Sequence, residues 1–566
     1  MKRLPTGVEN FKEIIKGGYY YVDKTLLVKD VINLSGKIKL ITRPRRFGKT
    51  LNMDMLMRFF SMDEKENLFE GLNIWKEKEI VGAHYHKYPV IYITFKGLRE
   101  NCWEKALEGM KNLIIELAKD MKRYVNDEDD EYYMEKIIKK EATEVEYSLF
   151  LRHISKMIYR KVGIHPVILI DEYDVPIESA YLNKSKDGNY YDNMIDFMRS
   201  FLTTALKGSD TYFSFAVLTG VYRIAKESIF SGLNNLVVYT IFDNEMADKY
   251  GFTEEEVVEM IKHYALTEED KKIIDNWYGK YRMGNVENLY NPWSVINYVA
   301  KRIQGNLSAE DAAQSYWVNT SSNDLIIEQI QNSRDIKEKL HLLINRESIQ
   351  LTINPHLSLR ELEEDETGVW VLFASSGYLS VERVKRRRYA FRIPNEEILE
   401  FFKESVQTWI RRKTKLEIRR MYDALDDMLQ NGDYDEFKEM LEEFLSTGLS
   451  YYDVARDESE RFYKGFLLGM LAIAVNGYRV ESEMESGYGR LDIVIYPKEK
   501  MYGQYCAIFE VKRVDDRSKL ENLAKEALFQ IKEHKYYKKM KNLGYKVIGF
   551  GIAFCGKRSE VKVEEL

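Results

Sequence analysis

The chain has 566 residues and a formal net charge of −6; 45% of its residues are hydrophobic and 31% are charged. This length predicts three or four domains, each large enough to bury its own core. The small negative charge excludes a chain that binds nucleic acid through its overall charge. Its three cysteines, Cys102, Cys506 and Cys555, lie far apart, which excludes a disulfide framework and a zinc-ligand pattern.

The sequence shows no sign of export or membrane insertion. Its first residues, MKRLPTGVENFKEII, contain no apolar run of the kind found in signal peptides. The longest apolar stretch, residues 465–475, is shorter than the ~20 residues that span a bilayer. We therefore expect a cytoplasmic protein with no membrane segment.

Strand-like and helix-like patterns alternate through the first 242 residues. Short apolar runs predict strands at 37–42, 88–95, 166–171 and 212–219, and longer segments predict helices at 50–60, 103–121 and 191–207. Strands separated by helices predict a parallel, three-layer α/β sheet. We expect the acidic run at 127–131 to be a solvated loop.

Smaller modules are predicted in the rest of the chain. A helical pattern at 253–303 is typical of a lid, and the segment 320–400 favours a winged-helix-like region in which strands 369–373 and 379–384 pair. Helical spacing at 415–447 predicts a hairpin that turns at 431–433. From residue 453 the predicted order is helix, strand, strand, helix, strand. The predicted domains are residues 1–250, 251–320, 321–414, 415–450 and 451–566.

The segment from Ile38 to Thr50 has the order of a phosphate-binding loop. An apolar strand and a tight turn precede Gly48-Lys49-Thr50 at the start of a helix, whose N–H groups and dipole favour an anion. Lys49 is placed to reach terminal phosphates, and the Thr50 hydroxyl is placed to ligate Mg²⁺. Arg43 stands where the G-x-x-x-x-G-K-[ST] pattern has its first glycine.

A second element of a nucleotide site lies downstream, where an apolar strand at 167–170 ends in Asp171 and Glu172. Hydrolysis needs one carboxylate that holds Mg²⁺ through water and another that orients the attacking water. Asp171 fits the first role and Glu172 the second. The alternative is a buried strand with two acids at its solvated end, which the upstream loop disfavours.

A third apolar strand ends at Thr219 and is followed by Arg223. A polar group in that position is suited to sense the γ-phosphate, and Arg223 is suited to stabilise transferred charge in cis, or in trans within a homo-oligomer. Arg45 and Arg46 are placed to bind phosphate. Each of these arginines fits a structural role as well, either in a salt bridge or as a brace for the loop.

Together these segments resemble the bacterial AAA-ATPase-like family, strongly over residues 3–240. The residues that carry the resemblance are 20–25, 43–51, 171–174, 219–221 and 231–235 and, more loosely, 290–294 and 393–395. The resemblance implies ATP as the nucleotide and an additional-strand fold, in which one inserted strand separates the Asp171 strand from the phosphate-loop strand. It also implies a C-terminal nuclease-like module.

The C-terminal region contains a second set of charged residues. Asp492 starts an apolar strand, and Glu510 and Lys512 follow another. Residues i and i+2 of a strand share a face, so Glu510 and Lys512 lie together, and a hairpin brings Asp492 beside them. Clustered carboxylates with a cation suit metal-dependent phosphodiester hydrolysis. The alternative is a pair of strands with solvated charges.

This pattern resembles the PD-(D/E)XK nuclease superfamily over about residues 455–555. The resemblance implies that Asp492 and Glu510 are ligands for Mg²⁺, with Mn²⁺ as a substitute, and that Lys512 is the activating cation. It also implies that Glu460, on a helix predicted over residues 458–475, completes the metal site.

Two basic segments fit a phosphate backbone. Lysines interleaved with tyrosines at 532–541 follow Gln530, which resembles an accessory Gln-x-x-x-Tyr element, although His534 occupies the tyrosine position. The second segment, 383–389, contains four consecutive cations. The alternative for each is a solvated, charged surface.

We therefore expect an ATPase whose nucleotide state controls a C-terminal Mg²⁺-dependent nuclease, with DNA favoured over RNA as the partner. A defensive role against foreign DNA rests on family analogy alone. The alternative is a nucleotide-dependent switch or scaffold that binds nucleic acid or protein without cutting. The joint presence of Asp492, Glu510 and Lys512 favours cutting, whereas Arg43 in the glycine position favours the switch.

Overall fold

The computed structural model forms two compact units, one made of Met1–Asp324 with Gln350–Glu397 and the other of Leu325–Ile349 with Ile398–Leu566. The residues that the structure describes are 1–184, 186–207, 212–223, 229–230, 233, 235–305, 307–317, 323–344, 346–355, 367–414, 418–448, 464, 467–468, 470–471, 477–486, 489–533, 535, 537–556 and 558–566. The domain boundaries predicted at residues 250, 320, 414 and 450 stay predictions.

A five-stranded parallel sheet forms the centre of the first unit. Its strands are β1 Ile38–Thr42, β2 Val90–Thr94, β3 Val167–Asp171, β4 Ala216–Gly220 and β5 Leu236–Tyr239. The strand order is β2-β3-β4-β1-β5. Every residue of β1, β3 and β4 is buried, as expected for continuous apolar strands covered on both faces. The predicted α/β sheet is confirmed, with β4 inserted between β1 and β3.

Ten α-helices accompany this sheet in the described part of the first 206 residues. They are α1 Phe11–Lys16, α2 Leu27–Asn33, α3 Lys49–Phe60, α4 Lys78–His84, α5 Trp103–Met121, α6 Glu128–Ile138, α7 Glu144–Ser148, α8 Phe150–Val162, α9 Val175–Asn183 and α10 Tyr190–Leu206. They include the three helices that the sequence predicts in this region.

The acidic run at 127–131 is not the predicted solvated loop, because it starts helix α6. Asp127 caps the helix by accepting a hydrogen bond from the backbone N–H of Asp130. Acids in the first turn are favourable because the helix dipole is positive there. Asp130 is buried, forms an ion pair with Arg160 and lies 3.3 Å from the His153 ring nitrogen. The prediction of a loop, which rested on the high density of acidic residues alone, was therefore wrong.

The segment after β5 is mainly helical, as predicted for the lid, but it also contains a β-hairpin. Its elements are α11 Glu254–His263, α12 Glu268–Tyr278, β6 Tyr281–Met283, β7 Val286–Leu289 and α13 Pro292–Gln304. Thr253 and Thr267 start the first two helices with capping boxes.

The strand pairing predicted between 369–373 and 379–384 is wrong. The chain continues through α14 Asp324–Asn332, α15 Arg334–Ile344, β8 Ile349–Thr352, α16 Gly368–Ser376, β9 Ser380–Lys385 and β10 Arg388–Arg392. The run 369–373 is thus helical, and β9 pairs with β10 in a sheet of order β8-β10-β9. Periodicity cannot separate a short buried strand from a short buried helix. The left-handed Gly377, at φ +92°, ends α16.

The second unit contains α15 and nearly all of α14, together with the helical hairpin and the C-terminal sheet. The elements that follow β10, of which only the first two residues of α17 belong to the first unit, are α17 Glu396–Thr414, α18 Ile418–Asn431, α19 Asp435–Gly448, β11 Tyr478–Ser486, β12 Gly489–Pro497, β13 Tyr505–Arg513, α20 Leu520–Glu533, α21 Tyr537–Asn542, β14 Lys546–Cys555 and β15 Arg558–Glu565. The hairpin turns at Gly432, whose φ is +86°, as predicted. Most of the helix predicted at 458–475 lies outside the described residues.

The C-terminal sheet has the order β11-β12-β13-β14-β15. Its strands pair antiparallel except β13 and β14, which are parallel and joined by the crossover helix α20. The sheet has three strands before α20 and two after it, rather than the predicted two and one. Among the described helices, none is long and apolar enough to cross a membrane.

Candidate functional sites

The first unit contains a cavity of about 420 Å³ at the junction of β1 and α3. Gly48 starts α3 in a left-handed conformation, with φ at +84°, and lines the cavity together with Lys49 and Thr50. Trp293, at the start of α13, contributes to the wall. The N-terminus of a twelve-residue helix therefore borders the cavity, as in an anion-binding site.

The Lys49 side chain is buried and is held by the loop itself. Its ammonium donates hydrogen bonds to the backbone carbonyls of Arg43 at 3.1 Å and Pro44 at 2.8 Å. Burial lowers the pKa of Lys49, and the acids Glu172 and Asp174 oppose that change. An entering phosphate would have to compete with two carbonyls for this cation.

Arg43 does not line the cavity, although it occupies the glycine position of the loop. Its guanidinium is fully buried and donates to the carbonyls of Thr42 at 2.9 Å, Tyr239 at 3.0 Å and Glu245 at 3.0 Å. It also lies over the ring of Tyr250. The side chain thus joins the end of β1 to β5 and the loop that follows it, which leaves the cavity side of the loop clear.

The two carboxylates at the end of β3 have different environments. Asp171 is fully buried and accepts a hydrogen bond from the Thr219 hydroxyl at 2.6 Å, while its Oδ2 has no hydrogen-bond partner among the described residues. Glu172 lines the cavity in a left-handed conformation, with φ at +54°. Burial raises the pKa of Glu172, and the Asp171 charge raises it further. Such backbone strain in a non-glycine residue is typical of functional positions.

A third carboxylate, Asp174, connects the ends of β3 and β4. It is buried and accepts backbone hydrogen bonds from Val221 at 2.7 Å and Tyr222 at 2.9 Å. Burial raises its pKa to about 6. A Cβ atom on Gly220 would lie 2.7 Å from the Asp174 carboxylate, so only glycine fits there. No sequence motif pointed to a role for Asp174.

Two of the three arginines singled out in the sequence, Arg45 and Arg46, line the cavity, and Arg223 does not. Arg45 lines the cavity and pairs with the buried Glu178, whose other oxygen lies 3.6 Å from Arg99. Arg46 also lines the cavity, and its guanidinium lies 4.3 Å above the Trp293 ring. Neither Arg223 nor Thr219 lines this cavity. Arg223 is half-buried, and burial lowers its pKa.

A smaller cavity of about 70 Å³ adjoins the first one and shares Gly48 and Leu51 with it. Its other walls are mostly apolar and aromatic, including Tyr20, Phe47 and Phe252. The larger cavity therefore borders a helix N-terminus and several charged side chains, whereas the smaller one is lined mainly by apolar and aromatic side chains.

In the second unit, two carboxylates lie next to each other on neighbouring strands. The antiparallel register pairs Ile493 of β12 with Phe509 of β13, which brings Asp492 beside Glu510. Both side chains are buried, with 8% of Asp492 and 4% of Glu510 exposed. Asp492 accepts a hydrogen bond from the N–H of Val511 at 2.8 Å. The predicted hairpin therefore does bring the two acids together.

Glu510 is only partly compensated. Its Oε1 accepts a hydrogen bond from Gln530 on α20, but its buried Oε2 has no hydrogen-bond partner among the described residues. Burial raises the pKa of Glu510, and the Asp492 charge raises it further, while Lys512 and Lys464 lower it. A partnerless carboxylate oxygen beside a second carboxylate suits a bound cation.

Lys464 pairs with Asp492, a contact that the sequence analysis missed. The residue precedes its partner by 28 positions, and no spacing rule links them. Glu460 lies outside the described residues. Within the described part of the chain, no group of three or more His, Cys, Asp or Glu side chains forms a metal site.

Comparisons with known proteins match the two parts of the chain that contain these sites. A family model described as "Predicted AAA-ATPase" matches residues 5–230, and a PD-(D/E)XK nuclease superfamily model matches residues 458–564. The chain is 26% identical to an uncharacterized protein in the vnfD 5'region of Azotobacter chroococcum mcd 1, over 98% of this chain and 96% of that protein.

Among solved structures, the chain is similar to the Walker-type ATPase paby2304 of Pyrococcus abyssi, at 11% identity and a TM-score of 0.36. That similarity covers 67% of this chain and 94% of the other. With the two sites and the family matches, residues 5–230 form an AAA-ATPase-like domain and residues 458–564 a PD-(D/E)XK nuclease superfamily domain.

Proposed function

We propose that this protein is an ATPase whose nucleotide state controls a metal-dependent nucleic-acid phosphodiesterase in its C-terminal domain. The observation that carries the proposal is the pair of buried carboxylates, Asp492 and Glu510, in the part of the chain that matches the nuclease superfamily. One oxygen of Glu510 has no hydrogen-bond partner among the described residues. A role in defence against foreign DNA and a cytoplasmic location belong to the same proposal, the first by family analogy and the second from three free cysteines.

In the first unit we assign ATP to the two adjoining cavities, with the phosphates in the larger one and the base in the apolar one. Lys49 and the N–H groups at the start of α3 would hold the phosphates, and Thr50 and Asp171 would hold Mg²⁺, which supplies charge at the γ-phosphate. The buried Asp171, bonded to Thr219, suits an indirect ligand. Glu172 would orient the attacking water, and its raised pKa suits a general base.

In the second unit we assign Asp492 and Glu510 as ligands of Mg²⁺ or Mn²⁺. The cation would compensate the two adjacent charges, and it supplies Lewis-acid charge for phosphodiester hydrolysis. Lys512, two residues from Glu510 and on the same strand face, would stabilise developing negative charge. Gln530 holds Glu510 in place through a direct hydrogen bond.

The alternative function, a switch or scaffold that does not cut, is favoured by one observation. Lys464 already pairs with Asp492 in this structure, so a protein cation occupies part of the space that a metal would need. In that case the C-terminal domain would bind nucleic acid, and ATP would change its affinity rather than a cleavage rate.

A nuclease assay separates these functions. Full-length protein is incubated with labelled DNA or RNA, with Mg²⁺, Mn²⁺ or EDTA, and with or without ATP. Metal-dependent cleavage whose rate changes with ATP is the expected result. Binding without cleavage under every condition would leave the switch or scaffold as the function.

A further inference from the structure

The hairpin of β9 and β10 ends in a concentrated positive charge. Five of the six residues from 383 to 388 are basic and none is acidic, and we call these five the basic tip: Arg383, Lys385, Arg386, Arg387 and Arg388. All five are exposed, and Val384 between them is 42% exposed. The basic tip belongs to the first unit, not to the nuclease domain.

Contacts at and beside the basic tip fix the hairpin to the rest of the first unit. Glu382, just before it, pairs with Arg282 at 2.7 Å. The carbonyl of Arg387 accepts a hydrogen bond from the backbone N–H of Ile353 at 3.0 Å. Just after it, Tyr389 is buried and makes an edge-to-face contact with Phe242. These contacts fix the direction in which the hairpin presents its charges.

The charges of the basic tip are not compensated within the described residues. Lys385 lies opposite Arg388 across the strand pair, an arrangement in which like charges repel. The neighbouring acid, Glu382, is already engaged by Arg282. A polyanion that contacts the tip would relieve this repulsion and release its own counterions.

We propose that the basic tip is a second nucleic-acid contact, which binds the phosphodiester backbone independently of the nuclease site. Arginine forks match phosphate oxygens, and the major groove of DNA admits a two-stranded β-ribbon. An acidic protein is the less favoured partner, because the tip has a single exposed apolar residue to pack against one. The inference stands whether or not the C-terminal domain cuts, because it concerns binding in the first unit.

The test measures binding of the full chain in EDTA, by fluorescence anisotropy with a labelled duplex of about 30 bp and with RNA of the same length. Salt is varied between about 50 and 200 mM. We expect the variant K385Q/R386Q/R387Q to bind at least ~10-fold more weakly at about 0.1 M salt. The slope of log K against log salt becomes shallower by about 0.9 for each lost phosphate contact.

The matched control is K105Q/K119Q/K122Q, which removes the same charge from exposed positions on and just after α5. It should bind like the parent, and K385R/R386K/R387K, which keeps the charges but has one arginine fewer, should lose much less affinity than the glutamine variant. Equal DNA binding and salt slopes for the glutamine variant and the control would overturn the proposal. So would a parent chain that binds poly-glutamate or anionic vesicles but neither DNA nor RNA.

Discussion

The two candidate sites differ in how far the protein has already compensated their charges. In the phosphate-loop site, Lys49 donates to two loop carbonyls and Arg45 pairs with Glu178. A ligand that enters this site has to replace contacts that already exist. Its arrival therefore changes the loop, which is the property required of a switch.

The strand-pair site of the second unit has the opposite character. Asp492 and Glu510 lie side by side on paired strands, and one buried oxygen of Glu510 has no partner among the described residues. A cation that enters here relieves repulsion and needs no rearrangement of the strands. We infer that the first site senses the nucleotide and that the second is preformed for chemistry, with Lys464 competing for Asp492 in the described part of the chain.

The largest effect is expected from neutralising the strand-pair site. Asp492→Asn or Glu510→Gln should slow nucleic-acid cleavage by more than ~100-fold, because loss of even an outer-shell partner of a metal costs up to ~100-fold and these residues are proposed as direct ligands. The ATPase rate should be unchanged. Asp515→Asn, at a position 90% exposed, is the control and should cut normally. If Glu510→Gln cuts at the parental rate, the metal-ligand assignment is wrong.

The thermal stability of Glu510→Gln tests whether the charge of Glu510 is compensated. Because Glu510 is a buried, partly compensated charge, Glu510→Gln should raise the melting temperature of the metal-free chain. A relief of about 1 kcal/mol corresponds to roughly 2–4 °C for a domain of 150–250 residues. A lower melting temperature in EDTA would show that the protein already compensates this charge.

In the phosphate-loop site, Glu172→Gln should separate binding from hydrolysis. It keeps the shape of the side chain but removes its basicity, so ATP turnover should fall ~100-fold, the scale of a lost general base, while ATP affinity stays the same. Glu104→Gln, at an exposed position of α5, is the control. Equal loss of affinity and turnover would mean that Glu172 has a structural role.

Arg43→Gly tests why the loop departs from the usual pattern. The change completes the glycine motif, yet it removes hydrogen bonds to three backbone carbonyls. We expect the free energy of unfolding to fall by about 3 kcal/mol or more, since each unsatisfied buried group costs ~1–3 kcal/mol. Arg46→Gly is the matched control, because Arg46 has a φ of +65° that glycine adopts freely. Equal stability of the two variants would contradict the bracing role of Arg43.

Asp174 should make the stability of the protein depend on pH. Its folded pKa of about 6 lies above the usual value of a free aspartate, so its contribution to stability is fully present below about pH 4 and is lost as the pH rises through 6. Relative to Asp174→Asn, the parent should lose about 3 kcal/mol between about pH 4 and 7, because each pKa unit corresponds to 1.36 kcal/mol. Denaturant titrations at several pH values measure this, and parallel curves for the two proteins would refute it.

The sequence was enough to predict the parallel sheet, the strand, loop and helix around Gly48-Lys49-Thr50, and the hairpin that joins Asp492 to Glu510. These features follow from local signals: apolar runs, Gly48-Lys49-Thr50, and the two-residue period of strands. The family resemblance predicted the inserted strand β4, which the structure confirms.

Other features depend on contacts that no local pattern encodes. The Arg43 side chain lies away from the cavity because it donates hydrogen bonds to carbonyls of residues about 200 positions away. Lys464 pairs with Asp492 because the tertiary structure brings together two residues that are 28 positions apart. The run 368–376 is buried almost throughout, so its sequence fitted a strand as well as the helix that it forms.

The most direct test of the account is whether the phosphate-loop site controls the strand-pair site. Cleavage is measured for the parent chain and for Lys49→Ala, each with Mg²⁺ and with or without ATP, beside a direct measurement of ATP binding. We predict that ATP changes the cleavage rate of the parent, in either direction, and that Lys49→Ala neither binds ATP normally nor responds to it. Cleavage that is identical in both proteins and in both conditions would show two independent enzymes in one chain.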